Sequence, residues 1–336
     1  MPRAVVTGGA GFLGSHLSRK LVDDGWEVTN LDKLTYAASL DNLQDIAGRP
    51  NYRFVEGDLC DAALVRELVT GTDLVLNFAA ETHVDRSLLD PAVFARTDVE
   101  GVVCLLEAIR ADGRAALIHM STDEVFGSLA PPEEATEERA FAPSSPYSAS
   151  KAAAELMIRA YCETYGLPVT VLRSCNVFGP NQHVEKFIPL FTTRAAAGEA
   201  MPLYGDGLQE REWLYVADLV AAVQLVSKAL PAGGLQPLHV GSGYRVTNLE
   251  IARRICELTE RPAELIQPVL DRPGHDRRYA LDCSRLRTLG WEPEVGFDDG
   301  LARTVSWFVE HGRGRAEADG TFAGYFQEQY GQRLGE

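Results

Sequence analysis

Three observations predict an α/β fold, with a doubly wound parallel sheet and a smaller, partly interleaved α/β lobe. Short β-branched runs alternate with longer segments of helical periodicity through the first half of the chain. The strand runs are almost continuously apolar, as strands become when helices cover both faces of a sheet. After about Gly179 the rhythm gives way to Gly-Pro pairs and irregular stretches, which marks a second lobe.

Taken in order, residues 3–7 read as a strand, 12–24 as a helix and 27–31 as a second strand. Residues 52–55, 73–78 and 115–121 follow as strands. The helices between them centre near 64–68, 99–109 and 149–165, and a strand at 169–172 closes the series. The expected first domain is 1–175, with part of 212–241 returning to it. The lobe takes 176–211 and 242–311, with short elements at 189–197, 214–230 and 248–259. Residues 312–336, rich in Gly, Glu and Arg, read as a tail that adds little to the core.

Length and composition agree with this. At roughly 150 residues per domain, 336 residues suggest two domains or one large domain with an appended lobe. A composition of 46% hydrophobic and 24% charged residues, with 30 Gly and 17 Pro dispersed, excludes a disordered chain. Lys and Arg number 32 against 48 Asp and Glu, a formal charge of −16. That field repels nucleic acid and anionic lipid alike, so neither is an expected partner. An anionic ligand must therefore be captured by a local arrangement.

Six cysteines, Cys60, Cys104, Cys162, Cys175, Cys256 and Cys283, show no CxxC and no histidine spacing that would make a metal site. Free thiols in a reducing compartment are the expectation. Residues 1–14 lack the apolar stretch of a signal peptide, and no run approaches the roughly 20 apolar residues of a membrane span. A cytoplasmic protein is expected.

Residues 7–14, Thr-Gly-Gly-Ala-Gly-Phe-Leu-Gly, follow the first strand and open the first helix. Gly8 suits the tight turn, Gly11 lets backbone N–H groups approach a pyrophosphate, and Gly14 allows close packing. The helix N-terminus, with Phe12 and Leu13 in its first turn, supplies the positive end that a phosphate needs. Asp32 ends the second strand, 18 residues beyond Gly14, where a carboxylate accepts hydrogen bonds from ribose hydroxyls. It would also repel a 2′-phosphate, so the expected cofactor is NAD, held in a Rossmann-type site. Lys33 follows Asp32, and Asp58 and Leu59 come after the third strand, where an adenine contact can form.

Two further features point to chemistry. Tyr147 and Lys151 lie four apart on one helical face, where an ammonium lowers the phenol toward the range of a general base. Thr122, at the end of the 115–121 strand, can hydrogen-bond the same substrate oxygen. Asp123 and Glu124 follow it. Two adjacent carboxyls can have their affinities for a proton pushed apart, which yields one acid and one base. Oxidising an alcohol needs only the tyrosine, lysine and hydroxyl. Removing water from adjacent carbons needs the carboxyl pair as well.

With these residues in place, the chain resembles the dTDP-D-glucose 4,6-dehydratase family of the extended short-chain dehydrogenase/reductases. The matching runs are LDKLTYA at 31–37, FAAETHVDRS at 78–87, STDEVFG at 121–127, YGDG at 204–207, REWLYV at 211–216 and DRPGHDRRY at 271–279. The resemblance implies that Tyr147, with Thr122 and Lys151, takes the 4′-OH proton as hydride passes to NAD. Glu124 then removes the C5′ proton, Asp123 protonates the leaving 6′-hydroxyl, and hydride returns to C6′. It implies Ala79 beside the cofactor and Thr82 beside the substrate. Asn176, Arg211 and His275 resemble diphosphate ligands, and Glu185, Lys186, Pro202 and Tyr204 match positions that hold thymine. No metal is implied.

The chain departs from the family at several places. Residues 174–181 read Ser-Cys-Asn-Val-Phe-Gly-Pro-Asn where the family has Cys-Ser-Asn-Asn-Tyr-Gly-Pro-Tyr, so Val177 and Asn181 replace an asparagine and a tyrosine beside the sugar pocket. Thr82 stands for a serine, Phe126 for a tyrosine and Asp98 for an asparagine. A UDP-sugar is therefore the alternative substrate, and a nucleotide-sugar 4-epimerase or decarboxylase is the alternative activity on the same scaffold. The resemblance also implies a homodimer through helices at 98–111 and 147–165.

Overall fold

The computed structural model describes residues 1–331 and 334. The first half runs β1 (Arg3–Thr7), α1 (Phe12–Asp23), β2 (Glu27–Asp32), β3 (Tyr52–Glu56), α2 (Ala62–Val69), β4 (Leu74–Asn77), α3 (Val84–Leu89), α4 (Pro91–Phe94), α5 (Gly101–Asp112), β5 (Ala116–Thr122), α6 (Pro146–Tyr165) and β6 (Pro168–Ser174). The second half continues with β7 (Asn176–Phe178), α7 (Phe187–Ala197), β8 (Met201–Tyr204), β9 (Glu210–Tyr215), α8 (Val216–Ser227), β10 (Gly234–Val240), β11 (Arg245–Thr247), α9 (Asn248–Leu258), β12 (Ile266–Val269), α10 (Ser284–Thr288), α11 (Phe297–Ala318) and α12 (Phe322–Phe326).

Seven strands form one parallel sheet in the order β10-β6-β5-β4-β1-β2-β3. Alternate residues feed opposite faces. Val5, Val75, Leu117 and Val169 pack with Val65, Leu105 and Ile158 of α2, α5 and α6. Val6, Leu76, Ile118 and Leu172 pack with Leu17, Leu21, Leu219 and Val223 of α1 and α8. Strand order reverses at β1 and β4, and the crevice outside their carboxyl ends is where this fold binds ligands.

The local signals explain the boundaries. α6 starts on a reciprocal Ser145/Ser148 capping box with Pro146 in its first turn, and stops at Gly166 in the left-handed region. The expected helix at 99–109 enters through a π-helical turn, Ala95–Glu100, before α5 becomes regular.

Two expectations need correction. The sheet does not close at residues 169–172, because β10 adds a seventh strand parallel to β6. Pro237 interrupts that run and hides it from a propensity reading, yet an edge strand tolerates proline. Nor is the tail idle. Tyr325, Phe326 and Tyr330 are buried in a third core with Phe178, Phe191, Trp213, Ile251 and Phe297. Their aromatic rings supply apolar surface that the polar composition of the tail conceals. Among the described residues, no helix is long and apolar enough to cross a membrane. All six cysteines are free, four of them buried.

Candidate active site

The crevice at the carboxyl end of the sheet is a cavity of about 290 Å³. Gly8, Gly11, Phe12, Leu13, Gly14, Asp32, Lys33, Asp58, Leu59 and Ala79 all line it. Gly8 takes φ +70°, and a Cβ there would sit 2.6 Å from the Ala79 nitrogen. A Cβ on Gly14 would lie 2.2 Å from the Gly8 carbonyl oxygen, so the close packing is within the turn itself. α1 has no side-chain cap, which leaves its first-turn N–H groups to the crevice. Asp32 accepts from the Ala10 and Leu34 nitrogens, both at 2.9 Å, and burial raises its carboxyl above the usual range. Lys33 pairs with Asp58 at 2.8 Å, so that cation is neutralised inside the site.

Thr122, Asp123, Glu124, Tyr147 and Lys151 line the same cavity deeper in. Thr122 ends β5, accepts from the Glu124 nitrogen at 3.2 Å and donates to Asp123 Oδ1 at 3.2 Å, which turns both carboxyls into the site. Asp123 is fully buried. Burial, then Glu124 and Glu212, push its carboxyl well above the carboxylate range, and its Oδ2 has no hydrogen-bond partner. Burial raises Glu124 too, but Arg272, Arg211 and Lys186 oppose the rise. Lys151 Nζ donates to the Met120 carbonyl at 2.7 Å. Burial with Glu124 and Asp98 pushes the Tyr147 phenol up, while a Thr122 hydrogen bond pulls the other way. The sign is opposite to that expected from the ammonium alone, because two carboxylates and burial outweigh it.

A second cavity, about 160 Å³, adjoins the first. Thr82, Asn176, Glu185, Lys186, Pro202, Tyr204, Arg211 and His275 all line it. Glu124, Thr82, Asn176 and Lys186 face both cavities. Arg211 is buried, donates to the Glu210 and Asp276 carbonyls at 2.9 and 2.8 Å, and lies over the Tyr279 ring at 4.3 Å. Lys186 Nζ donates to the Thr82 carbonyl at 2.5 Å, and burial lowers it to about 8. His275 Nδ1 meets Asp271 at 2.6 Å, and burial brings the imidazole down to about 4.

The Glu185 carboxylate is held by a two-pronged pair with Arg86, so that side chain is already engaged. His183, Glu185 and Asp319 also bring ligand-type atoms within 4.8 Å of one another, a juxtaposition invisible in the sequence. Asp85, Arg272, Tyr279, Asn248 and Tyr330 line the second cavity without having been singled out. Asp85, Arg272 and Tyr279 lay inside the runs at 78–87 and 271–279. Asn248 carried no signal, and Tyr330 sat in the discounted tail. Val177 lines the first cavity, whereas Asn181, at φ +67°, is held by Arg315 at 3.0 Å.

A family model described as GDP-mannose 4,6 dehydratase matches residues 5–304. The chain belongs to this family. It is 47% identical to the dTDP-glucose 4,6-dehydratase of Streptomyces niveus over 317 residues, 92% of this chain and 93% of that protein. The solved dTDP-glucose 4,6-dehydratase of Streptomyces venezuelae with NAD bound superposes with a TM-score of 0.89 at 43% identity, covering 93% of this chain and 98% of that one. A UDP-glucose 4-epimerase of Thermotoga maritima, solved with UDP-glucose, aligns at TM-score 0.83 and 30% identity over 92% of this chain and 99% of its own. Solved structures of one architecture thus carry different named activities.

Proposed function

We propose that the chain is an NAD-dependent hydro-lyase that converts dTDP-D-glucose to dTDP-4-keto-6-deoxy-D-glucose. The observation that carries the reading is the contrast between Asp123 and Glu124. Asp123 is buried beside two other carboxylates, which hold its carboxyl well above the usual range, so it can act as an acid. Glu124 faces three cations and gives its proton up more readily, so it can act as a base. Glu124 also stands where the two cavities meet. The dehydratase relatives and the NAD-bound neighbour point the same way.

The glycine cradle, the uncapped α1 N-terminus and Asp32 fit a dinucleotide, since any Cβ at Gly8 or Gly14 would collide with backbone. Bound NAD supplies hydride acceptance at the start and hydride return at the end. Tyr147 takes the 4′-OH proton, and the Lys151 ammonium together with the positive charge of bound nicotinamide would offset the burial and carboxylates that hold its phenol up. The 4-keto sugar acidifies C5′, where Glu124 removes the proton while Asp123 donates one to the departing 6′-hydroxyl, which leaves as water. Arg211, Lys186 and Arg272 hold the diphosphate and oppose the rise that burial imposes on Glu124. In this division residues 1–175 serve mainly the cofactor and supply the reacting side chains, while 176–211 with 242–311 serve mainly the sugar nucleotide.

The enzyme is read as cytoplasmic, since six free thiols suit a reducing compartment. It is read as a homodimer, because Leu88, Leu89, Val93 and Leu156 leave apolar surface on α3, α4 and α6. Light scattering at the mass of one chain would refute that assembly.

The deciding assay follows deuterium from C4′ of labelled dTDP-glucose, with label expected at C6′ of a 6-deoxy product. A 4-epimer or a pentose without any 6-deoxy sugar would overturn the reading. Parallel reactions with UDP- and GDP-glucose identify the base.

A further inference from the structure

The second cavity is completed by residues beyond 304, outside the span that the family model matches. α11 runs on to Ala318, and Asp319 then meets His183 Nε2 at 2.9 Å. α12 packs Tyr325 beside Arg86, and the chain delivers Tyr330 to the cavity wall, 5% exposed. There Gln329 Nε2 donates to the Tyr204 hydroxyl oxygen at 2.6 Å. The Tyr330 ring packs against the Tyr204 ring, with centroids 5.7 Å apart. Tyr204 donates onward to Asp85 Oδ2 at 2.9 Å, and Arg272 donates to the other Asp85 oxygen at 2.8 Å. Tyr204 lines the cavity, as does Arg272, whose charge acts on Glu124.

We propose that Tyr330 and Gln329 are substrate-positioning residues: together they fix Tyr204, and Tyr330 forms the wall against which the base of a pyrimidine nucleoside diphosphate sugar rests. The inference depends on the second cavity taking the sugar nucleotide, as argued above. Because the contact is to the nucleotide end, it acts on binding and leaves the reacting carbons untouched.

The test uses Tyr330→Ala and Gln329→Ala in the full chain, with dTDP as the binding probe. Tyr330→Ala should raise the Kd for dTDP and the KM for dTDP-glucose about tenfold, the scale of one aromatic contact to a base. Its kcat and NAD content should stay within about twofold of wild type. Gln329→Ala should raise both constants about threefold, the scale of one neutral hydrogen bond. Unchanged Kd and KM in folded variants would overturn the proposal, as would a fall in kcat at constant KM. If Tyr330→Ala does not fold, Gln329→Ala decides by the same criteria. A wild-type protein that binds dTDP but forms no 6-deoxy sugar would sink the proposed function, while the dTDP constants still judge this inference. A wild-type protein that does not bind dTDP would overturn both.

Discussion

Asp123 and Glu124 are adjacent in the chain, yet one points among carboxylates and the other among cations. If Glu124 removes the C5′ proton, Glu124→Gln blocks elimination after C4′ has been oxidised. Turnover should fall about 10²–10⁴-fold, and reduced nicotinamide should build up on the enzyme after dTDP-glucose is added. Lost turnover without that absorbance would assign Glu124 an earlier role. Asp98 offers a second residue-level test. It accepts from the Glu81 nitrogen at 3.0 Å and from Ser150 Oγ at 2.6 Å, and burial lifts its carboxyl to about 6 against the pull of Lys151. Glu81 and Tyr147 face the same pocket of charge. The folded protein therefore binds this proton more tightly than the unfolded chain does. The stability that the proton contributes is complete below the ordinary carboxylate range and is lost as pH rises through about 6. Asp98→Asn should flatten urea midpoints between about pH 4 and 6, and an unchanged slope would contradict the assignment.

At the level of elements, the turn from β1 into α1 and the helix α6 position most of the chemistry. Gly14→Ala drives a methyl into the Gly8 carbonyl, and the turn cannot yield without moving β1. A loss of about 1–3 kcal/mol in stability is expected from such overpacking, with the purified protein depleted of NAD; full NAD content would show that the turn can relax. α6 is anchored through Glu155, which takes Arg173 at 3.0 and 2.7 Å and Ser121 Oγ at 2.6 Å, all buried between β5 and β6. Glu155→Ala strands the Arg173 charge and should cost about 3–5 kcal/mol in denaturant unfolding. The elements legible in the sequence were those whose own residues state their environment: β1, β4 and β5 are apolar on both sides, and α6 has a proline start and a glycine stop. The elements that escaped depend on partners. β10 is a strand only because β6 offers it an edge, and the Tyr325–Tyr330 stretch is core only because α7 and α11 lie beneath it.

Across the whole molecule, a chain of charge −16 gathers two anionic ligands at neighbouring sites, and it uses different devices for each. The first cavity presents backbone N–H groups at a helix end, a device spelled out by glycine spacing and so readable from residues 7–14. The second presents Lys186, Arg211 and Arg272, which come from three separate stretches and converge only in three dimensions. That convergence explains why Arg211 could be named through family resemblance, while Arg272 and Asn248 passed unnoticed. It also separates the two binding energies. Arg211 is pinned by two carbonyls and by the Tyr279 ring, so its guanidinium is already oriented before an anion arrives. Removing a desolvated charge of this kind costs about 2–5 kcal/mol of binding, so Arg211→Ala should raise the KM for dTDP-glucose by at least about 30-fold. Arg211 does not line the first cavity, so NAD held at the α1 end should be retained in full. Copurified NAD and the KM, measured on the same folded preparation, check the separation, and an equal loss of both would mean that the two sites share one electrostatic support.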